Sequence, residues 1–380
     1  MRRARLRIPA STAGPVASGH PWVFREAGGP PLGGWVELIG PGDRPVGWGL
    51  GDEGPIAVRV LGLGALPADP LAVVLGRIAM ADAARPRFLP ADTDCWRAVN
   101  GEGDGLPGLV VDRYGSLAIV RLYAGGWVPW LEAIAGAVAR LPGIQGVARR
   151  LGVARVDDGE GLVPLLGPVP PDSLVVREAG MALLVRPHVG QKTGLFLDQR
   201  EHRLLIRRWG GAGVAANLFS YNGGFSVAAA LGGASRVYTV DQSPGAVEDA
   251  RENFRLNGLD PGLHAFEVAD AFAWSPPAKL DLLIVDPPSL AHARANEAAA
   301  RAAYLALHRR LAPGVAPGGL LATSSCTARL PLESWKGAVR AGVGPGWSFS
   351  WCSGEPPDHP VSSGHPEGFY LKFAVLRRWG

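Results

Sequence analysis

The chain has 380 residues, enough for two or three domains and a sizeable core. Hydrophobic residues make up 47% and charged residues 19%, which excludes a disordered chain, and no apolar run is long enough to span a membrane. A formal net charge of +4 and a pI near 9.1 are compatible with a polyanionic partner without requiring one. Only four of the 38 basic residues are lysines (Lys192, Lys279, Lys336 and Lys372), a skew that reads as a GC-rich genome more than as function. Three cysteines with no CxxC exclude a disulfide framework, suggest no metal site and fit a reducing cytoplasm. The basic start, Met1 to Arg7, has no apolar segment behind it, so a secretory signal is not expected.

In chain order, residues 1–66 are expected to form a small β domain. Short runs such as Trp35–Ile39 and Ile56–Val60 are separated by the Gly/Pro turns 41–45 and 51–55. Arg2, Arg3, Arg5 and Arg7 form a basic arm ahead of it. Residues 67–178 read as a small α+β domain. Its expected strands are Trp96–Asn100, Leu109–Asp112, Leu117–Tyr123 and Gly146–Leu151, with a helix over Trp127–Arg140 and a loop over Asp157–Asp172. A hairpin over Leu174–Arg177 and Met181–Val185 follows, turned at Ala179-Gly180.

From residue 179 to 380, apolar strands alternate with helices, which predicts an α/β, doubly wound, mostly parallel sheet of the Rossmann-like kind. The expected strands are Val214–Phe219, Val237–Asp241, Phe266–Asp270, Leu282–Asp286, Leu320–Ser324 and Phe369–Val375. Ser243 and Pro244 supply an N-cap and a first-turn proline. Val247, Ala250 and Phe254 then share one helical face that ends at Gly258.

Ligands bind outside the carboxyl ends of the strands in such sheets. The first strand runs into Asn217, Phe219, Ser220 and the glycine pair Gly223-Gly224, where backbone can approach a ligand. Asp241, followed by Gln242, ends the second strand, where an acid can accept both hydroxyls of a ribose. Asp270, followed by Ala271, ends the third strand and could meet an adenine amino group. Asp286 ends the fourth and leads into Pro287-Pro288, a stiff turn that can hold a flat base. Each feature has a plain alternative: Asp241 as a helix cap, the glycines as a turn, Asp270 as surface. The four in register are harder to dismiss. The G-x-G-x-x-G of a dinucleotide site is missing after the first strand, which disfavours a nicotinamide oxidoreductase. A nucleoside without pyrophosphate, S-adenosylmethionine, fits better.

The segments Asn217–Ser226, Arg251–Gly258 and Asp286–Pro288 resemble class I methyltransferases acting on ribosomal RNA, and most closely the RlmI family of 23S rRNA 5-methylcytosine methyltransferases. Gly190–Arg200 is similar to the segment before that family's first strand, and Asn100–Asp112 to its central-domain signature. Gly19–Phe24 is similar to the opening of its PUA-like RNA-binding domain, and Asp358–Val361 and Pro366–Lys372 to its tail. The resemblance runs nearly end to end. It implies a cytoplasmic enzyme that binds rRNA and neither DNA nor a membrane, and it leaves a homodimer open. It adds Phe196, Asp198 and Gln199 to the expected cofactor residues, and His20, Trp22, Lys192 and Arg200 to the four N-terminal arginines as RNA-binding candidates. Asn100–Asp112 is expected to be scaffold.

Cys326 is the expected nucleophile. Carbon 5 of cytosine is a poor nucleophile, and a thiolate adding to carbon 6 turns the ring into an enamine that activates it. Cys326 lies just past the fifth strand among Ser324, Ser325 and Thr327, whereas Cys95 and Cys352 are expected to be structural. The resemblance gives Asp286 the role of engaging the cytosine ring nitrogen and amino group. The family usually has Lys after Asp-Pro-Pro, where this chain has Ser289, Ser where it has Thr327, and Thr where it has Asn222. A methyltransferase for guanine or another base, needing no thiol, and an RNA-binding assembly factor without turnover are the competing readings.

Overall fold

A computed structural model describes residues 3–26, 29–211, 213–290 and 297–379. The described chain divides into two compact units. The first comprises Met1–Val176, Val185–Leu197 and Pro357–Gly368; the second comprises Arg177–Leu184, Asp198–Pro356 and Phe369–Gly380. No helix among the described residues is long and apolar enough to cross a membrane.

The first unit opens with β1 (Arg3–Arg7), α1 (Ala10–Ala17), β2 (Trp22–Phe24), β3 (Trp35–Ile39), β4 (Pro45–Gly51) and β5 (Ile56–Leu63). The five strands form one sheet in the order β1-β3-β4-β5-β2. The basic segment is therefore not a free arm. It pairs parallel with β3, which satisfies its backbone groups on one side. Arg2 lies outside the described residues.

Next come α2 (Pro70–Ala84), β6 (Cys95–Asn100), β7 (Leu109–Tyr114), β8 (Leu117–Leu122), α3 (Leu131–Ala139), β9 (Gly146–Leu151) and β10 (Gly161–Leu166). These strands form a second sheet, β10-β9-β8-β7-β6. Three expectations need correction here. The helix expected over 127–140 begins as a 3-10 turn at Gly125–Trp130, where Pro129 has no N–H to give, and is α-helical only from Leu131. The loop expected over 157–172 contains β10, whose backbone is satisfied by an antiparallel ladder with β9. Helix α2 has no counterpart in the expectations, although Asp69 caps it by accepting from Ala72 N–H and Pro70 stands at its first turn.

The hairpin β11 (Leu174–Glu178) and β12 (Met181–Val185) carries the chain between the units. The second unit then builds α4 (Arg200–Trp209), β13 (Gly213–Leu218), α5 (Gly224–Leu231), β14 (Ala234–Asp241), α6 (Pro244–Leu256), β15 (Ala265–Val268), β16 (Leu280–Val285), α7 (Glu297–Leu311), β17 (Val315–Ser325), α8 (Leu332–Val343), β18 (Trp347–Ser353) and β19 (Lys372–Arg378). Its seven strands run β15-β14-β13-β16-β17-β19-β18. The first five are parallel, and β19 runs antiparallel to both β17 and β18. Two apolar clusters built on the sheet strands hold it: Leu218, Leu283 and Val285 pack with Tyr304 and Trp335, and Ile284 packs with Phe225, Phe254 and Phe373. Sheet order reverses between β13 and β16, which places the carboxyl ends of β13, β14 and β16 around one crevice. The last strand starts at Lys372 rather than Phe369, because Tyr370 and Leu371 give their N–H groups to the Glu355 carboxylate.

Candidate active site

The loop after β13 is tightly wound. Phe219 and Tyr221 adopt φ of 59° and 48°, the left-handed region that non-glycine residues avoid. Strain of about 1–3 kcal/mol per such residue persists only where surroundings over-determine it. Here they do. Ser220 N–H bonds to Val240 O at 3.0 Å, and Tyr221 N–H to Asp241 Oδ2 at 2.8 Å. The glycines have a packing role. Gly223 has φ of 74°, and a Cβ there would lie 2.6 Å from Ala250 Cβ. One on Gly224 would lie 3.0 Å from Arg203 Cδ. At both positions the close approach of α6 and α4 leaves little room for a side chain.

The expected strand-end residues come together in the second unit. Asn217 is fully buried and donates to Ser226 Oγ at 2.9 Å, and its Oδ1 is a buried acceptor with no partner among the described residues. Asp241 Oδ1 accepts Ser243 N–H at 2.9 Å. The acid therefore does tie down the turn before α6, and each oxygen retains a lone pair for a ligand hydroxyl. Gln242 is exposed, as is Asp270, which accepts Phe272 N–H at 2.9 Å. Ala271 is buried. Phe219 and Phe272 face each other edge-on at 4.9 Å and form an aromatic wall beside these acids. Phe272 escaped the sequence reading because a half-exposed aromatic after a strand has no periodic signal.

Asp286 stands at the centre of a directed network. Gln199 Nε2 donates to both its oxygens, at 3.1 and 3.2 Å, and Ser324 Oγ donates to Oδ1. With its amide nitrogen spent on a carboxylate, Gln199 turns Oε1 toward His202 Nδ1, 2.5 Å away. Nε2 lies 3.1 Å from Ser353 Oγ, and the ring also bonds the Gly354 backbone. The His202 ring stacks on Phe373 at 4.0 Å, and burial drives its pKa down to about 3. The relay is thus neutral at His202 and holds Asp286 as an acceptor. Gln199, expected to hold the cofactor, bonds and orients this acid. Asp198 is buried and accepts from the Tyr370 hydroxyl at 2.6 Å.

Cys326 is exposed at the end of β17, as is Cys352 on β18, whereas Cys95 is buried. Ser289 Oγ lies 3.3 Å from Thr327 Oγ1, so two of the three family departures meet beside Cys326. Buried Tyr304 on α7 senses both Cys326 and Asp286. Burial chiefly, with these two neighbours adding, raises its pKa to about 12, so it stays a neutral phenol. The third departure, Asn222, donates to Leu184 O at 3.1 Å and secures β12.

The RNA-binding candidates are less uniform. Arg200 is only 1% exposed and cannot present an open guanidinium to phosphate; its side chain pairs with Glu201 at 3.5 Å. Arg5 and Arg7 are exposed, paired with Glu37 and Asp43. In the first unit Trp22 Nε1 donates to Glu102 at 2.9 Å, and its ring meets His365 edge-on at 4.3 Å. His20 Nδ1 lies 3.1 Å from Trp22 O. Lys192 Nζ sits 4.4 Å over the Phe196 ring, and both belong to the first unit, not to the unit carrying the strand-end acids. The segment from Asn100 to Asp112 is scaffold: buried Asp112 takes a two-pronged ion pair from Arg97 and a bond from Thr193.

A crevice with an acid at the end of β14, a lone buried acceptor, an aromatic wall and no phosphate loop, on this sheet order, is that of a methyltransferase dependent on S-adenosylmethionine. The residues fit that cofactor, and a family model for S-adenosylmethionine-dependent methyltransferases matches residues 158–335. A ribosomal RNA large subunit methyltransferase of Deinococcus radiodurans is 36% identical over 99% of this chain and 97% of its own length. Ribosomal RNA large subunit methyltransferase I of Shewanella amazonensis is 31% identical over 95% and 96%. The chain belongs to the ribosomal RNA large subunit methyltransferase I family. A Streptococcus mutans structure assigned to the SAM-dependent methyltransferases shares the fold, with TM-score 0.85 and 22% identity over 98% of this chain and all of that one. A chain solved with S-adenosylhomocysteine matches with the same figures.

Proposed function

We propose that this enzyme methylates carbon 5 of a cytosine in large-subunit ribosomal RNA through a covalent bond to Cys326. The observation that carries the reading is the pairing of an exposed thiol at the end of β17 with an oriented acid at the end of β16. Asn217, Asp241, Asp270 and the Phe219–Phe272 wall hold S-adenosylmethionine, which supplies an electrophilic methyl group. Asp286, kept an acceptor by Gln199 and Ser324, takes the cytosine amino group. The Cys326 thiolate adds to carbon 6, and carbon 5 becomes nucleophilic. After carbon 5 has gained its methyl, a base removes the carbon-5 proton and the carbon–sulfur bond breaks to free Cys326. The base must leave the helix stack to meet a thiol in this way. Residues 1–66 serve as a PUA-like RNA-binding domain, 67–178 as a scaffold and 179–380 as the methyltransferase domain.

The test is covalent trapping. RNA carrying 5-fluorocytosine at the target should form a stable adduct with the native enzyme, because fluorine does not leave as a proton does. Cys326→Ala should abolish trapping and methyl transfer while leaving cofactor affinity nearly unchanged. Substantial turnover by that variant, with no trapping, would establish the guanine-type reading in its place.

A further inference from the structure

We propose that Lys372 holds the Cys326 thiol as a thiolate and so acts as the activating, positioning residue for the nucleophile. The proposal rests on the reading of Cys326 given above. Lysine is almost never fully buried without a reason. Lys372 is 5% exposed, and its placement is specific. Across the β17–β19 ladder it stands directly opposite Ser325. Its Nζ donates to Thr327 O and to Tyr370 O, each at 2.9 Å. The backbone of Lys372 thus pairs with the residue before Cys326, and its ammonium bonds the carbonyl of the residue after it.

Both acceptors are neutral carbonyls, so neither cancels the charge. Glu355, the acid nearest by electrostatic effect, gives its Oε1 to two backbone N–H groups at 2.6 Å. Burial lowers the lysine's pKa, and Glu355 and then Cys326 oppose that shift. The coupling is reciprocal: a thiolate that favours the charged lysine is favoured by it. From other elements, Tyr304 on α7 feels both Cys326 and Asp286, and Lys372 feels both Glu355 and Cys326. Asp286 alone would disfavour a thiolate, and Tyr304 stays neutral. Lys372 is the cation among these named groups, and it offsets the carboxylate that base recognition requires. Removing it raises the thiol midpoint.

The experiment is alkylation of the full-length protein by iodoacetamide, read at the Cys326 peptide by mass spectrometry from pH 6 to 10. Lys372→Gln keeps a donor for Thr327 O but no charge, and Lys372→Arg keeps the charge. The Gln variant should move the midpoint up by about one unit and slow alkylation at pH 7 by about tenfold. The Arg variant should restore most of the rate, and cofactor affinity should be unchanged in both. An unshifted midpoint in a folded Gln variant overturns the inference. If the variant does not fold, the native enzyme decides: a Cys326 midpoint at or above about 8.5 also overturns it. Build-up of adduct on ordinary cytosine RNA with an unshifted midpoint reassigns Lys372 to proton removal. The alkylation readouts do not depend on turnover, so they separate this inference from the nucleophile reading, which fails if Cys326→Ala still methylates without trapping.

Discussion

Two histidines of the second unit are held neutral by burial. His202 sits in the relay to Asp286, with its pKa lowered to about 3. His308 is lowered to about 4; it lies between Tyr304 O at 2.6 Å and Thr323 Oγ1 at 2.9 Å. Both folded values lie below the unfolded value of about 6.5, so the unfolded chain binds protons that the native one refuses. Stability is therefore fully present above about pH 6.5 and is lost as pH falls toward 4 and 3. The slope should be roughly 1 kcal/mol per pH unit for each histidine. Urea titrations at pH 7, 6, 5 and 4 should show this decline, and His308→Gln should flatten it. Stability that is level from pH 7 to 4.5 would contradict the assignment of neutral, buried rings.

At the scale of elements, the motif Arg251–Gly258 shows its purpose only in three dimensions. Asn253 on α6 and Asn257, which caps its end, reach β12 together. Leu184 N–H bonds to Asn253 Oδ1 at 2.7 Å, and Ala182 N–H to Asn257 Oδ1 at 2.9 Å. The same face of α6 carries Ala250, against which Gly223 packs. Gly223→Ala must place a Cβ in a left-handed turn and against that helix at once. It should cost about 2–4 kcal/mol of stability and weaken S-adenosylmethionine binding. Thermal unfolding with and without cofactor checks both. A variant as stable as the native chain would show that the loop can yield, and that its tight winding is not a requirement of the site.

At the scale of the molecule, the sheet of residues 3–63 displays Arg5 and Arg7 on its edge strand, the two charges exposed by 79% and 76% at the side chain. Asp43 is exposed while Glu37 is largely buried, but both guanidinium groups face solvent, where such pairs are worth little and exchange readily for phosphate. The Arg5→Gln/Arg7→Gln double variant of the full chain should bind substrate RNA more weakly at low salt. The slope of log affinity against log salt should become shallower by about 1.4 to 1.8. Filter binding over a salt series measures it. Equal affinity and slope at every salt concentration would remove this strand from the RNA interface.

The ends of β13, β14 and β16 were legible in the chain because a strand, its terminal acid and the next helix cap are neighbours in sequence. Their apolar runs and capping residues are local signals. Cys326 was legible for the same reason, as a thiol one residue beyond a recognisable strand. Helix α2 was legible in principle, through Asp69 and Pro70, and was passed over. The relay from His202 through Gln199 to Asp286 could not be read, since it joins residues 87 positions apart through side-chain amides that carry no period. Lys372 over Thr327, 45 positions apart, is of the same kind. Local sequence decided which atoms carry the chemistry, because backbone hydrogen bonding and capping act over a few residues. Only the packed sheet decided which groups orient and charge them, because electrostatics and side-chain hydrogen bonds act through space and take partners from any part of the chain.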